Sequence, residues 1–517
     1  MFPSDDGLVD SLRSVAESDD ALREILYGNA PCHTASQKEL VNSLASERDR
    51  RMQELDAEIE RLAAEKDRIL QEYRVCTMAL KSPIRVLPAE ILCEIFELCI
   101  ERTPWHSRAI LSTIQQTISS LLITTWTCRR WRQIAHETPR LWRELPLGWR
   151  MLAHRFAGAC VQEWLARAKN LPLTYTVAAQ RHFLTRPLLT RELIESSVAF
   201  PTQRIRCLRL IGFAMDITLP LSTLSPDSFP LLEELYLEFH YGPMRTSTPT
   251  TDGDIKVTAF TGSSRLTVLH LESYISKGVI ESLPLSRVTS LWLQLGSHPG
   301  PALSFYVLRR CPNLTYLRLH AEYAPRDPHD DGSPIIADNL ETLVISGSAY
   351  DIWEVLSTPN LKKLEWFAGS CDINHHVLAF LARAPCLTSL TLANVFIDDY
   401  ADIRDILRLL PWVGSLTLQR CSLRLGQMYH ALVVRSETET LVPCLRSLVL
   451  KEIDSYQDSP SLDAFVTMMR SRRAMSDTSL TRQLRIEVHG PDFVEADDEI
   501  ESKLGAMQEE GLDLHFS

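Results

Sequence analysis

The hexapeptide LTYLRL, residues 314–319, belongs to a pattern that recurs through the second half of this 517-residue chain. The pattern is an apolar residue, two variable residues, a leucine, a variable residue and an apolar residue. Further copies are IRCLRL (205–210), LEELYL (232–237), LTVLHL (266–271), VTSLWL (288–293), LETLVI (340–345), LKKLEW (361–366), LTSLTL (387–392), VGSLTL (413–418), LRSLVL (445–450) and the weaker TRQLRI (481–486). Apolar residues at alternate positions predict a strand with one buried face.

Successive copies begin 21–36 residues apart, and a motif at about this interval is the signature of a leucine-rich-repeat solenoid. One repeat cannot bury its own strand face, so neighbours must stack. A barrel enzyme also alternates strands and helices, but eleven short units are too many and too small for it. The sequence therefore predicts an α/β solenoid, a leucine-rich-repeat horseshoe, over 204–490. Residues 149–203 are predicted as a helical linker with a leading strand, LPLTYTV (171–177).

Residues 39–81 predict a long amphipathic helix. Its stripe alternates steps of three and four residues, as in a coiled coil. The stripe consists of Met52, Leu55, Ile59, Leu62, Lys66, Ile69, Tyr73, Cys76 and Leu80. Self-association through 52–80 is one prediction. Lys66 at a core position keeps open the alternative that a single helix folds back on the next domain.

The segment IRVLPAEILCEIFELCI, residues 84–100, predicts a helix whose apolar face is unusually broad. A second helix is predicted near 109–123, and TWTCRRWRQIAHETPRLWREL (125–145) follows it. These helices form a unit of only about 65 residues, which is marginal for an independent core. We therefore expect this unit to be stabilised by packing against a partner.

The order LPAEILCEIF (87–96), CRRW (128–131) and PRLW (139–142) resembles an F-box, assigned to 82–148, although the spacer 101–119 is longer than usual. A coiled-coil-like helix, an F-box and repeats in this order are similar to the F-box-like proteins of mushroom-forming fungi. The resemblance implies docking on the Skp adaptor of a Skp–cullin–F-box ubiquitin ligase. The docking residues it implies are Leu87, Pro88, Ile91, Leu92, Ile95 and Phe96. The alternative is that they pack only within this chain.

Side chains between the last two apolar positions of each motif should point away from the core and line a concave binding surface. The run Tyr236, His270, Trp292 and Arg318, flanked by Tyr316 and His320, contains residue types that dominate binding hot spots. The alternative is that a loop, 242–264 or 321–338, covers these side chains as a small local core.

Composition and motifs exclude several function classes. A net charge of −12 argues against binding nucleic acid or an anionic membrane. No phosphate-cradling, nucleophile-elbow or zinc-protease motif occurs, and neither His375-His376 nor the loop 326–333 has metal-ligand spacing. We therefore expect no enzymatic activity, metal or cofactor. Twelve cysteines without a CxxC pair predict reduced core thiols.

The ends of the chain are both acidic. Residues 1–38 are predicted to be largely disordered, and 491–517 to form an acidic tail. Because the sequence has no secretory signal and no convincing membrane span, we expect an intracellular protein, cytoplasmic or nuclear or both.

These observations predict a non-enzymatic subunit that recruits an unidentified protein target to the ligase. One alternative is a leucine-rich-repeat interaction scaffold, unrelated to ubiquitin, that assembles through its coiled coil. Another is an enzyme with an unrecognised site in the repeats.

Overall fold

The structure is a computed structural model, and it falls into two compact units, Met1–Ile91 and Leu92–Ser517. The residues it describes are 34–81, 83–100, 110–148, 157–178, 200–240, 256–273, 275–295, 300–320, 333–347, 350–373, 375–397, 400–435, 440–454, 462–476, 484–489 and 513–516. The predicted disordered segment 1–38 lies mostly outside these ranges, as do most of the acidic tail and the predicted loops. No helix in the described ranges is long and apolar enough to cross a membrane.

Helix α1, Ala35–Lys81, dominates the first unit and matches the predicted amphipathic helix. The apolar side chains of its heptad stripe are exposed from Met52 to Tyr73. Ion pairs one turn apart line the other positions, for example Arg61 with Glu58 at 2.7 Å. Each such pair stabilises a helix by only about 0.2–0.5 kcal/mol. The apolar stripe is therefore the feature of this helix with the largest capacity to bind a partner.

We expect a synthetic peptide spanning 39–81 to gain helicity as its concentration rises, because self-association would bury the heptad stripe. Circular dichroism across a hundredfold concentration range measures this. A peptide with Ile59 and Leu62 replaced by lysine should remain at the helicity of the most dilute parent sample. Helicity that does not depend on concentration would leave only the fold-back alternative.

Between α1 and the repeats, the described residues form three helices and two 3₁₀ turns. They are the turn Pro83–Arg85, α2 (Ala89–Cys99), α3 (Ile110–Thr127), α4 (Arg129–Glu137) and the turn Pro139–Trp142. The Cys128 side chain caps α4 by accepting a hydrogen bond from the Trp131 backbone amide. Pro139 prevents α4 from continuing, because it disfavours helix at Thr138 and lacks an N–H group. The turn then directs Trp142 into the core of the second unit.

Trp142 joins the helices to the first repeats. Its indole Nε1 donates to the backbone oxygen of Ala135 at 2.7 Å, and Trp164 Nε1 donates to the Trp142 oxygen at 2.8 Å. The two indole rings meet edge to face with centroids 4.9 Å apart, and the Arg167 guanidinium lies 4.4 Å from the Trp142 ring centroid. Leu141 and Trp142 are thus part of the buried core.

The repeats form one parallel sheet in which fourteen described strands lie side by side in chain order. Those strands are β1 (Glu144–Gly148), β2 (Leu173–Ala178), β3 (Ile205–Phe213), β4 (Glu234–His240), β5 (Val268–Ser273), β6 (Ser290–Leu295), β7 (Tyr316–His320), β9 (Thr342–Ser346), β11 (Lys363–Asp372), β12 (Ser389–Ile397), β13 (Ser415–Gln419), β15 (Ser447–Lys451), β16 (Arg485–His489) and β17 (Asp513–Phe516). Three short strands are not part of this row. Strand β14 (Ser422–Leu423) pairs with β12, and β8 (Ile335–Ile336) and β10 (Leu356–Ser357) pair with each other in a separate two-stranded sheet. The predicted solenoid is therefore confirmed.

The register aligns the motif leucines of neighbouring repeats. Leu291 pairs with Leu317, which pairs with Leu343, and all three are fully buried. Every one of the eleven motif copies contributes a strand to the sheet. The alternation of buried and half-buried residues, seen clearly in Tyr316–His320, is the pleat that the pattern predicts.

Strands of the sheet also lie outside the range 204–490 predicted for the repeats. Glu144–Gly148 was assigned to the F-box, yet it is the first strand of the sheet and pairs with β2. Asp513–Phe516 falls in the predicted acidic tail, yet it pairs with β16 as the last described strand. Alternating Leu514 and Phe516 would have indicated a strand, but the surrounding acidic residues masked it. The predicted leading strand at 171–177 is confirmed as β2, Leu173–Ala178.

Helices and turns form the layer behind the sheet. They are α5 (Ala157–Arg167), α6 (Ala214–Ser222), α7 (Lys277–Glu281), α8 (Gly300–Arg309), α9 (Tyr350–Val355), α10 (His375–Ala382), α11 (Tyr400–Arg408), α12 (Leu425–Leu432) and α13 (Leu462–Ser476). Buried rings meet from repeat to repeat near the start: Tyr175 and Phe200 edge to face with centroids 5.0 Å apart, and Phe229 and Phe260 stacked at 5.2 Å. Such contacts couple each repeat to the next.

An asparagine ladder adds a polar coupling between repeats. The side-chain amides of Asn313, Asn339 and Asn360 donate to backbone oxygens of the preceding repeat at 2.8, 3.2 and 2.8 Å. The acceptors are Ser286, Pro312 and Asp338. Asn313 heads an Asn-Leu-Thr sequon, but its amide already has this structural role.

Candidate binding surfaces

The third and fifth residues of each motif, and the seventh residue, which directly follows the motif, point away from the core. We call the surface they form the open face of the sheet. Strand register places the fifth residues in one row across neighbouring strands. Tyr236, His270, Trp292 and Arg318 are consecutive members of that row, which confirms the lateral neighbours that the sequence predicts.

These four side chains form one continuous stack. The Tyr236 and His270 ring centroids are 4.1 Å apart, and those of His270 and Trp292 are 4.5 Å apart at an interplanar angle of 14°. The Arg318 guanidinium carbon lies 4.0 Å from the Trp292 ring centroid. Each ring therefore restricts the next, and the guanidinium lies at the end of a rigid aromatic platform.

The stack divides into a closed and an accessible part. Tyr236 is only 4% exposed and His270 only 3%, so the expectation that both line an accessible surface is wrong. Ile118 of α3 packs against a cluster of Tyr236, Ala178 and Ile211. Helix α3 thus helps to cover the open face at strands β2–β4. Sequence reasoning considered loops as the cover and missed this helix.

The accessible part begins at Trp292. Trp292, Arg318, Tyr316 and His320 are half-buried, as expected for residues on a surface that a partner could contact. His320 Nδ1 lies 2.8 Å from the hydroxyl of Ser346 on the next strand, β9, and this contact fixes the imidazole two residues from Arg318. Four of the six predicted target-binding residues therefore lie together on an accessible surface.

Two carboxylates border the closed part. Tyr236 donates its hydroxyl proton toward Glu238 Oε2 at 2.9 Å and toward Glu272 Oε2 at 3.0 Å. Burial, and then the negative charges of these two carboxylates, raises the pKa of Tyr236 well above its ordinary value. Tyr236 therefore remains a protonated donor at neutral pH. The two glutamates give this side of the open face a negative charge.

Trp292 should behave as a surface residue and Trp366 as a core residue. Trp366 of strand β11 is buried, so we expect Trp366→Ala to lower the free energy of unfolding by about 3–5 kcal/mol. Trp292→Ala should cost only about 1–2 kcal/mol, because it removes one aromatic pair and one cation–π contact. Denaturant unfolding of both variants measures the difference. Equal losses would show that Trp292 is core.

A second surface lies on helix α2, the helix implied to dock the adaptor. Leu92 and Phe96 are fully buried, so the expectation that they form part of an exposed apolar patch is wrong. Phe96 packs on the Trp131 ring with centroids 4.9 Å apart. Cys93 Sγ, on the same side of the helix, lies 3.0 Å from the Thr138 hydroxyl. This side of α2 is occupied by the chain itself.

The other side of α2 remains apolar and exposed. Ile91 is 47% exposed and Leu98 is 86% exposed, and Ile95 lies between them at helical spacing. Pro88 is exposed and Leu87 is half-buried just before the helix. We call Pro88, Ile91, Ile95 and Leu98 the outer face of α2. The sequence predicted three of these four residues and missed Leu98.

Side chains that could bind a metal are scattered among the described residues. No group of His, Cys, Asp or Glu among them could hold a metal ion. His375-His376 begins α10 rather than a loop, and His376 Nδ1 lies 3.0 Å from Glu354 Oε1. The described part of 326–333 is limited to Ser333.

The prediction of core thiols holds for only part of the set. Cys207, Cys311 and Cys421 are buried, and burial raises the pKa of Cys207 and Cys311 to about 12. Five described cysteines are exposed instead: Cys76, Cys99, Cys128, Cys160 and Cys386. An even spread of cysteines along a sequence does not indicate which of them face the core.

Comparisons with known proteins add little to this description. No protein-family model matches the sequence, and no curated protein matches it. Among solved structures, the chain is similar to an internalin from Listeria monocytogenes. That similarity has 14% identity and a TM-score of 0.31, and it covers 62% of this chain and 77% of the internalin. The solenoid assignment rests on the strand register described above.

Proposed function

We propose that this protein is a substrate-recruiting adaptor subunit of a Skp–cullin–F-box ubiquitin ligase. In this proposal the outer face of α2 docks on the Skp adaptor, and the open face of the repeats binds the target. The protein itself is not an enzyme. Ubiquitin transfer is catalysed by other subunits, and this chain supplies proximity and orientation.

The observation that carries the proposal is the division of helix α2 into two faces. The motif residues Leu92 and Phe96 pack inside the chain, where Phe96 contacts Trp131 of the CRRW segment. The F-box-like sequence elements thus pack against one another and leave a separate apolar face outside. An exposed apolar face on a short helix favours a protein partner.

The test is co-expression of the full chain with a tagged Skp adaptor. We expect the two proteins to co-purify and to elute from gel filtration as one complex. An adaptor that elutes without this chain would refute the ligase proposal while leaving the repeat fold unaffected.

The exposed heptad stripe of α1 favours a second candidate, a leucine-rich-repeat scaffold that assembles through its coiled coil and has no role in ubiquitin transfer. Cross-linking of the purified chain in the absence of adaptor separates the two candidates. Stable oligomers together with no adaptor binding would favour the scaffold.

A further inference from the structure

Arg318 lies on the open face without a carboxylate partner among the described residues. Its guanidinium stacks on Trp292, and within the described residues it has no hydrogen bond and no ion pair. Three other cations of the open face each have a carboxylate nearby: Arg209 with Glu144, Lys363 with Glu365, and Arg485 with Glu487. Arg318 is therefore a half-buried positive charge whose N–H donors have no acceptor among the residues that the structure describes.

The neighbours of Arg318 on the open face are neutral or weakly basic. On β6 they are Ser290 and Gln294, and on β9 they are Thr342, Val344 and Ser346. Its own strand supplies Tyr316 and His320. No described residue of these three strands places a carboxylate beside the guanidinium. Because none of the described residues compensates this charge, the position is attractive to an anionic group from outside.

We propose that Arg318 binds an acidic side chain, aspartate or glutamate, of a peptide segment that crosses the open face. A planar guanidinium matches a carboxylate with two parallel hydrogen bonds. Stacking on Trp292 holds the guanidinium in place, so less conformational freedom is lost on binding. A phosphate is the less suitable anion, because phosphopeptide sites gather several arginines and this site has one.

The carboxylates of Glu238 and Glu272 set the direction of the bound segment. Glu272 lies two strands and Glu238 three strands away from Arg318, a separation across the sheet of about 10 and 14 Å at the usual strand spacing, and both lie two residues further along their strands. An extended peptide spans that distance in about three or four residues. A second acidic residue at that point would be repelled, whereas lysine or arginine would be attracted. The preferred segment therefore has an acidic residue and, three or four residues away, a neutral or basic one.

This inference rests on the proposed use of the open face for target binding. Its test is selection of phage-displayed random 12-residue peptides on the full chain and on two variants, Arg318→Glu and Arg408→Glu. Arg408 lies on α11, is exposed and pairs with Asp405, so it provides the same charge change away from the open face. Thermal unfolding of all three proteins verifies that they are folded.

We expect peptides selected on the parent chain to share an acidic residue. Selection on Arg408→Glu should give the same motif, whereas selection on Arg318→Glu should lose it and favour a basic residue. A synthetic peptide with the motif should bind Arg318→Gln about 10- to 100-fold more weakly than the parent, as expected for loss of charged hydrogen bonds.

Three results would overturn the inference: no enriched peptides, enrichment without an acidic residue, or the same motif on Arg318→Glu. A phosphoserine version of the peptide that binds at least tenfold more tightly would also overturn it, in favour of a phosphopeptide site. Adaptor capture by the same proteins is measured in parallel. Selected acidic peptides together with no adaptor capture would leave this inference standing and remove the ligase proposal.

Discussion

Replacing Ile91 and Leu98 of the outer face by aspartate is expected to abolish Skp adaptor binding while the chain remains folded. Both side chains are exposed, so their replacement should change the free energy of unfolding by less than about 1 kcal/mol. An aspartate at a docked apolar position must be buried without a partner, which should weaken binding at least about 100-fold. Affinity measured by calorimetry, together with thermal unfolding, separates the two effects.

Phe96→Ala is the control that probes the opposite face of the same helix. Phe96 is fully buried against Trp131, so this variant should lose about 3–5 kcal/mol of stability. Any loss of adaptor binding by Phe96→Ala would then result from unfolding of the chain and not from the loss of a docking contact. If the Ile91 and Leu98 double variant is folded and binds the adaptor with parent affinity, the outer face is not the docking surface.

A large loss of stability should also come from Trp142→Ala. Trp142 is buried, donates to Ala135, packs on Trp164 and lies under the Arg167 guanidinium. Truncation removes these contacts together, including the indole hydrogen bond to the Ala135 oxygen, so we expect a loss of about 3–5 kcal/mol. Denaturant unfolding followed by circular dichroism measures the change.

Trp412→Ala is the matched control, because Trp412 is 61% exposed and its truncation should change stability by less than about 0.5 kcal/mol. The position of Trp142 also predicts a wider consequence. It contacts both α4 and α5, so its truncation should expose strand β1 to proteolysis. A Trp142→Ala protein as stable as Trp412→Ala would contradict the role assigned to this side chain.

The repeats could be predicted from the sequence because their signal is local. In LTYLRL the alternation of apolar and polar residues and the recurrence of the motif both follow from backbone geometry within six residues. The same geometry places Tyr316, Arg318 and His320 on the open face. Register between neighbouring motifs then brings Trp292 beside Arg318 without any further information.

Long-range packing could not be predicted in the same way. The apolar residues of α2 cover such a broad face that their spacing alone cannot distinguish the side that packs on Trp131 from the side that remains exposed. Tyr236 was expected on an accessible surface because nothing in its own repeat indicates that Ile118 covers it. In both cases the burial of a side chain depends on which other part of the chain packs against it, and that part is remote in sequence.

The strands of the parallel sheet lie in chain order, so the number of repeats sets the distances along the sheet. Strand β1 begins directly after Trp142, and each further repeat moves a site along the row by one strand spacing, about 4.8 Å. Arg318 lies six spacings from β1, about 29 Å measured along the sheet. Insertion or deletion of one whole repeat between β1 and β5 would therefore shift Arg318 along the sheet by about 4.8 Å without changing its own neighbouring strands, because each repeat contacts only the next.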